Sequence, residues 1–587
     1  MNKSKTRGFH PESEWNKVNW RKLEITVFKL QKRIYRASQR GNVRVVRRLQ
    51  KTLMKSWSAK MLAVRKVTQQ NKGKRTAGID GRKALTGKQR LKLANNLRTY
   101  KIPQPTRRVW IEKPGRKEKR PLGIPTIQDR ALQALTKQAL EPEWEARFEA
   151  NSYGFRLGRS CHDAVEAIFD SIAKQPKWVL DADISKCFDK INHEKLLKKL
   201  NTFPTMKRLI KGWLKAGVID EGTLSSTDEG TPQGGIISPL LANIALHGME
   251  ETIKEYVENL SYKETSVRGK RDRRRSISLI RYADDFVIIH KNKEVVEKCR
   301  EVIEIWLSDI GLELKPSKTR LTHTKEGFDF LGFNIRQYPV GKHQSKQGFK
   351  TLIKPSKKKV KEHWGQLEME IKNHLAAPQA ALISKLKPII QGWSNYNKSV
   401  VSKKTYAGLD NMLWNKLQRW GYRRHPKKSK TWVNKKYWGT KVTEPKNPWD
   451  APKVDNWTFM TKEGIYLPKH SKTEIIRHTK VKGNSSPYNG DLIYWSTRMS
   501  KHPEMSKQKA KLLKRQKGKC AHCNLTFRNE DLMETHHIKP RAQGGNDQLK
   551  NLELLHLHCH DEKHRMKLKT KCHESSNDSS ELDDNPF

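Results

Sequence analysis

The segment Arg281-Tyr-Ala-Asp284-Asp285-Phe-Val-Ile-Ile sets two adjacent carboxylates between apolar, strand-like runs, and it restricts the fold more than any other feature of the chain. Like charges repel, and each carboxylate loses water at the edge of a core, so positive charge must gather there. A second apolar run, Val179-Leu-Asp-Ala-Asp183-Ile, also ends in carboxylates. Two Mg²⁺ ions held between Asp183 and the Asp284–Asp285 pair would supply that charge. They would also lower the pKa of a 3′-hydroxyl and stabilise a leaving pyrophosphate. Such chemistry depends on positioning and charge neutralisation. Taken alone, an Asp-Asp pair is as readily an exposed turn, so companion motifs must decide.

At 587 residues the chain exceeds a single core, and a multidomain fold is expected. Residues 1–104 read as helical, with apolar positions at helical spacing over Trp20–Arg36 and Val43–Val64. From 105 to 340, β-branched runs alternate with amphipathic helices. Val179–Asp183 and Ser276–Ile289 read as strands and Ser160–Ala173 as a helix, which is an α/β pattern. Residues 350–440 return to basic helix interleaved with aromatics, among them Trp364, Trp393, Tyr396, Trp414, Trp420, Trp432 and Trp438. Over 441–510 the Pro, Gly, Asn and Ser content rises, and a linker with short structured pieces is expected. A last compact unit spans 511–573. The acidic stretch 574–587 is predicted to be disordered.

Lys and Arg number 120 against 61 acids, a formal net charge of +59 spread from Lys3 to Lys571. A polyanion is the natural partner, and its binding should weaken steeply as salt rises. No stretch approaches the roughly 20 apolar residues of a membrane span, and Met1–Trp20 is polar and basic. The expected location is therefore the cytoplasm or nucleoid, with no membrane partner. Of seven cysteines, Cys520, Cys523, Cys559 and Cys572 crowd the C-terminus, whereas Cys161, Cys187 and Cys299 are scattered. In a reducing compartment such clustering reads as metal ligation rather than disulfides.

Companion motifs surround the carboxylates. Lys113-Pro-Gly-Arg-Lys-Glu-Lys-Arg120-Pro-Leu-Gly-Ile-Pro and Asn151-Ser-Tyr-Gly-Phe-Arg156-Leu-Gly-Arg159-Ser precede them. Gly230-Thr-Pro-Gln233-Gly234-Gly235-Ile-Ile-Ser-Pro239-Leu-Leu-Ala-Asn243 lies between them. Gly311-Leu-Glu-Leu-Lys-Pro-Ser-Lys318-Thr and Phe328-Asp-Phe-Leu-Gly332-Phe follow. In this order the set resembles the reverse transcriptase family, and group II intron-encoded proteins in particular. The resemblance implies a right-hand polymerase of fingers and palm, with Asp183, Asp284 and Asp285 as its Mg²⁺-binding triad. Phe188, five residues after Asp183, falls where the family packs an aromatic beneath the incoming sugar, favouring dNTPs over rNTPs; the plainer reading is a core residue. Gln233 and Gly234 allow the backbone close to a base pair, since glycine has no side chain. Lys113 and Arg120 are candidate clamps on the triphosphate, and Lys318 is a further substrate-binding candidate. The basic aromatic helices resemble the family's thumb and maturase domain, which grips intron RNA, with Leu386-Lys-Pro-Ile-Ile-Gln-Gly392-Trp393-Ser-Asn-Tyr396 the most family-like piece. An RNA-binding groove with stacking faces suits that composition, although tryptophans also build ordinary helical cores. Residues 441–510 are then expected to contact DNA.

The C-terminal unit has its own chemistry. Cys520-Ala-His-Cys523 is followed by Thr535-His536-His537, Asn551 and His556-Leu-His-Cys559-His560, with His564 beyond. Paired x-x-spaced ligands imply a tetrahedral zinc knuckle of Cys520, Cys523, His556 and Cys559, with His558 an alternative to His556. The His-His, Asn and His series resembles the HNH, or ββα-metal, nucleases. That resemblance implies His537 as general base, Asn551 as the holder of its loop, and His536, His560 and His564 as ligands of one catalytic divalent ion. A zinc finger that binds DNA without cutting would leave His536, His537 and Asn551 unexplained.

The whole resembles an intron-encoded protein that binds its group II intron RNA, aids splicing, nicks target DNA and extends the nicked end with dNTPs. A retron or diversity-generating enzyme should lack both the basic helices and the HNH unit. An RNA chaperone with a dead polymerase would gain nothing from Asp183, Asp284 and Asp285.

Overall fold

A computed structural model describes residues 11–100, 102–112, 119–220, 222–227, 229–230, 234–443 and 452–565. Among the sequence candidates, Lys113, Gln233, Cys572 and the 574–587 tail lie outside these residues.

The N-terminal part is helical. In the helix Trp20–Gln39, capped by the Asn19 side chain, Leu23, Val27, Phe28, Ile34 and Tyr35 turn inward. The expected Val43–Val64 helix is divided: Val43–Lys55 ends at Ser56, whose backbone is extended (ψ 127°), and Trp57–Arg65 starts anew. The break lets the second piece turn and pack on the helix Ile127–Glu145.

Beyond these helices, β1 (Thr106–Glu112) and β2 (Lys119–Ile124) form an antiparallel pair. β3 spans Trp178–Asp183; β4 (Val218–Asp220) and β5 (Thr223–Ser225) extend the first sheet in the order β2-β1-β4-β5. The Ser276–Ile289 run folds as two strands, β6 (Ser278–Tyr282) and β7 (Asp285–His290). With β8 (Arg320–His323) they complete the sheet β6-β7-β3-β8. β9 (Phe328–Phe330), β10 (Phe333–Pro339) and β11 (Phe349–Pro355) build a third sheet.

Both faces of the β6-β7-β3-β8 sheet are covered, which explains its unbroken apolar runs. Leu180, Ala182, Phe286 and Ile288 join one core with Cys299, Ile303 and Leu307 of the helix Lys293–Asp309. Val179, Val287 and Ile289 join another with Ala164, Val165 and Ile168 of the helix Cys161–Ile172, and with Phe330 and Phe333. Asp183 and Asp285 fall in register with this second set, because side chains alternate along a strand.

The basic aromatic region forms four helices, Lys357–Asn373, Gln379–Asn397, Lys403–Arg424 and Lys430–Tyr437, around a core that includes Leu386, Leu413, Trp420 and Tyr437. Trp420 is buried, whereas Trp432 is 38% exposed between Lys428 and Lys436.

The stretch read as linker opens with a hairpin, β12 (Trp438–Thr443) and β13 (Lys453–Phe459), and then folds back on the polymerase. Asp163, fully buried, accepts from Val481 N at 2.8 Å and from His478 at 3.0 Å, and pairs with Arg498. Arg159 donates to the carbonyls of Gly483 and Ser485. Tyr488 packs on Phe28 and Tyr35. Composition gave no sign of the distant acids and carbonyls that tie this stretch down. The final unit sets β14 (Met533–His537) against β15 (Leu552–His556), followed by a helix over 557–565, the ββα order expected. Among the described residues no helix is long and apolar enough to cross a membrane.

Candidate polymerase and nuclease sites

Asp183 and Asp285 are cross-strand partners on β3 and β7, and Tyr282 pairs with Asp285, leaving Ala283 and Asp284 as a two-residue loop. Ala283 is held at φ 61°. That conformation is uncommon outside glycine, so the loop needs support.

The support comes from two of the sequence motifs. Ser152 bridges to Arg281 alongside β6, and the backbones of Asn151 and Tyr153 bond Arg281 on both sides. Gly154 lies so close to the loop that a Cβ there would sit 2.3 Å from Ala283 N. The Arg281 guanidinium, 1% exposed, donates to Asn243 Oδ1 at 3.1 Å, Ala283 O at 3.1 Å and Ser152 Oγ at 2.8 Å. Asn243 in turn donates to Gly154 O at 2.8 Å. Sequence reading recognised these motifs but missed that their polar side chains converge beneath the acidic loop.

The three acids line a cleft of about 1460 Å³. Phe188, Gly234, Arg120 and Lys318 line it too, so every described polymerase candidate reaches one space. Phe188 is half-buried, with its ring edge-on to Phe155. Gly234 sits at φ 115°, where a Cβ would meet Gly123 O at 2.6 Å, and only glycine brings these two chain segments so close. Arg120, on β2, lines the same cleft. Lys318 Nζ bonds Asp183 Oδ2 at 2.5 Å. Burial, then the charges of Asp284 and Asp183, pushes the Asp285 carboxyl up to about 7; burial also raises Asp284. A pocket that makes its own acids reluctant to ionise is one where divalent cations would relieve real repulsion.

In the ββα unit, ligand atoms of Cys520, Cys523, His556 and Cys559 all lie within 4.8 Å of one another. His556 Nδ1 is 3.4 Å from Cys523 Sγ, and its Nε2 faces Asp531 Oδ2 at 3.2 Å. A carboxylate on the second ring nitrogen fixes the imidazole as a ligand. His558 is exposed and stacks on His556 from outside the cluster.

The nuclease candidates also gather. The rings of His536, His560 and His564 lie 4.5–5.7 Å apart between centroids. His536 Nδ1 meets Glu553 Oε1, its cross-strand neighbour, at 2.9 Å. Asn551 accepts from Lys539 N at 2.9 Å and donates to Lys539 O and Asn546 O, closing the loop after His537. His537 Nε2 lies 2.8 Å from Asp547 Oδ1, and the hydrogen bonds of His537 and Arg541 hold the Asp547 carboxyl below its usual range. Glu553 and Asp547 were not picked out from sequence. Glu553 was within reach of it, because pairing β14 with β15 sets it opposite His536.

This fold and these sites define a template-copying nucleic-acid polymerase joined to a helical nucleic-acid-binding domain and a ββα-metal nuclease unit. Comparison with known proteins agrees in each part. Models of the N-terminal domain of reverse transcriptase, reverse transcriptase (RNA-dependent DNA polymerase), the group II intron maturase-specific domain and HNH endonuclease match residues 15–97, 111–335, 358–438 and 520–566. Protein YkfC of Escherichia coli is 33% identical over 326 residues, covering 50% of this chain and 84% of that protein. The group II intron-encoded protein LtrA of Lactococcus lactis is 33% identical over 319 residues, 45% of this chain and 53% of LtrA. A 91 kDa protein in the cob intron of Schizosaccharomyces pombe is 30% identical over 364 residues, 52% of this chain and 44% of that protein. The chain belongs to the group II intron reverse transcriptase family and carries its reverse transcriptase, maturase and HNH endonuclease domains. The matched stretches span about half the length of LtrA and of the cob intron protein.

Proposed function

We propose that this chain binds a group II intron RNA, aids its splicing, nicks a DNA target and copies RNA into DNA from the nicked 3′ end. The observation that carries the reading is the meeting of Asp183, Asp284 and Asp285 in one cleft with Arg120, Phe188 and Gly234. Bound there, Mg²⁺ would favour ionisation of the primer 3′-hydroxyl and neutralise the departing pyrophosphate. Asp183, Asp284 and Asp285 supply its oxygen ligands. Arg120 holds the triphosphate of the incoming dNTP, and Phe188 packs beneath its sugar. Lys318 balances Asp183 until substrate arrives and then faces the nucleic-acid backbone.

In the nuclease, His537 takes the proton of the attacking water while Asn551 fixes the loop that presents it. His536, His560 and His564 hold a divalent ion, which supplies charge stabilisation at the scissile phosphate. Cys520, Cys523, His556 and Cys559 hold a structural Zn²⁺. Intron RNA and target DNA lie on the basic surfaces of residues 350–510, and the protein acts in the cytoplasm or nucleoid.

The test is primer extension on an RNA template by the full chain, together with sequencing of the RNA that copurifies from cells. Asp284→Ala combined with Asp285→Ala should abolish extension and leave RNA binding intact. Binding lost in parallel would make the acids structural, and copurification of no intron RNA would remove the splicing role.

A further inference from the structure

Phe155 stands at φ 59°, in the left-handed region that a bulky side chain seldom enters. The residues on either side hold it there. Before it, Tyr153 N donates to Arg281 O at 2.9 Å, and Gly154 O accepts from Asn243 at 2.8 Å. After it, the buried Arg156 guanidinium donates to both carboxylate oxygens of Glu145, at 3.1 and 3.0 Å. It also donates to the carbonyls of Glu149 and Ser152, at 2.7 and 2.8 Å. With both neighbours fixed, the backbone at Phe155 has no freedom to relax.

Core packing does not account for this strain, because 46% of Phe155 stays exposed. The residue instead lines the cleft that holds Asp183, Asp284 and Asp285. There its ring meets that of Phe188, with centroids 6.1 Å apart and planes at 77°, an edge-to-face pair. Phe188 is only half-buried and lines the same cleft. An aromatic that excludes one hydroxyl works only while it cannot turn aside, so its neighbour must hold it.

We propose that Phe155 is a positioning residue for sugar discrimination, its strained backbone setting its ring against Phe188 so that Phe188 does not yield to a 2′-hydroxyl. This inference rests on the reading of Phe188 as the residue beneath the incoming sugar. One segment thus abuts both the catalytic loop, through Gly154, and Phe188, through Phe155.

Phe155→Gly removes the ring, and glycine takes φ 59° without strain, so the fold is not put at risk. Steady-state primer extension by the full chain, run with dGTP and with GTP, gives the ratio of kcat/KM for the two nucleotides. We expect that ratio to fall roughly three- to tenfold in Phe155→Gly, the range carried by one edge-to-face aromatic pair. Phe155→Tyr keeps the ring and should hold the ratio within about twofold of wild type. Phe188→Ala should lose most of the discrimination, and adding Phe155→Gly to it should change the ratio no further. An unchanged ratio in Phe155→Gly would overturn the inference, as would an equal fall in the Phe188→Ala background. Full discrimination in Phe188→Ala alone would instead overturn the reading of Phe188 itself.

Discussion

The Arg281 guanidinium donates to the carbonyl of Ala283, two residues along its own chain, and so holds the loop bearing Asp284 and Asp285 from the protein interior. The same side chain reaches Ser152 and Asn243, which come from separate sequence motifs. These bonds fix the shape of the loop, while the cations that act on its acids are Lys318 and, for Asp284, Arg120.

Arg281→Met should therefore be severe. It leaves three buried acceptors without a donor, at about 1–3 kcal/mol each. Urea unfolding should show a loss of about 3 kcal/mol or more, and primer extension should fall in step. Arg281→Lys, which keeps the charge without the planar fork, should lie between the two. Wild-type stability and activity in Arg281→Met would mean that the loop supports itself.

His537→Ala tests the nuclease apart from the polymerase. Loss of a general base costs about 10²–10⁴-fold, so nicking of duplex DNA should drop by that factor while primer extension persists. An Asp547→Asn variant should keep most of the activity, because Asp547 is exposed and pairs with His537 from the solvent side. Nicking that survives His537→Ala would assign the proton transfer to another group.

Cys520→Ser removes a buried thiol from the four-residue cluster. Zinc measured by elemental analysis should fall from about one equivalent towards none, because three remaining ligands bind the ion far more weakly. Protease sensitivity should then rise within 506–565 and leave the β6-β7-β3-β8 sheet protected. Wild-type protein that purifies without metal would contradict the knuckle.

His290 makes the stability of the polymerase sheet depend on pH. It is buried at the end of β7, where Asn292 N donates to its Nδ1 at 3.0 Å, and burial lowers its pKa to about 4. The folded pKa lies below the unfolded value near 6.5, so the unfolded chain binds more protons between those limits. The stabilisation is complete above pH 6.5 and is lost as pH falls through the window towards 4, up to about 3 kcal/mol in all. Urea midpoints of the sheet at pH 7.5 and 4.5 should differ in that direction, and His290→Asn should flatten the difference. Equal slopes in both proteins would exclude His290 as the source.

Much of both sites was legible in the sequence, because their chemistry sits in short segments. The two acid-bearing strands announced themselves through apolar runs, one ending in Asp183 and the other starting at Asp285. The zinc and nuclease ligands did so through x-x and helical spacing. The choice between His556 and His558 was not legible, since either offers an imidazole; the end of β15 turns His556 inward and leaves His558 exposed. The hold of Arg281 on Asn243 and Ser152 was likewise hidden, because a hydrogen bond across 129 residues leaves no local pattern.

The sequence by itself determined the order of domains, the acids and imidazoles available for metal, and the positive charge that demands a nucleic-acid partner. These follow from composition and local periodicity, which act over a few residues. Only the tertiary structure decided that 478–502 fold back onto Asp163 and Arg159, and that Arg281 underpins the catalytic loop. Each is a buried polar contact between distant segments. Once water is excluded, an unpaired group costs too much to leave unmet, and the chain must bring its partner from wherever in the sequence it lies.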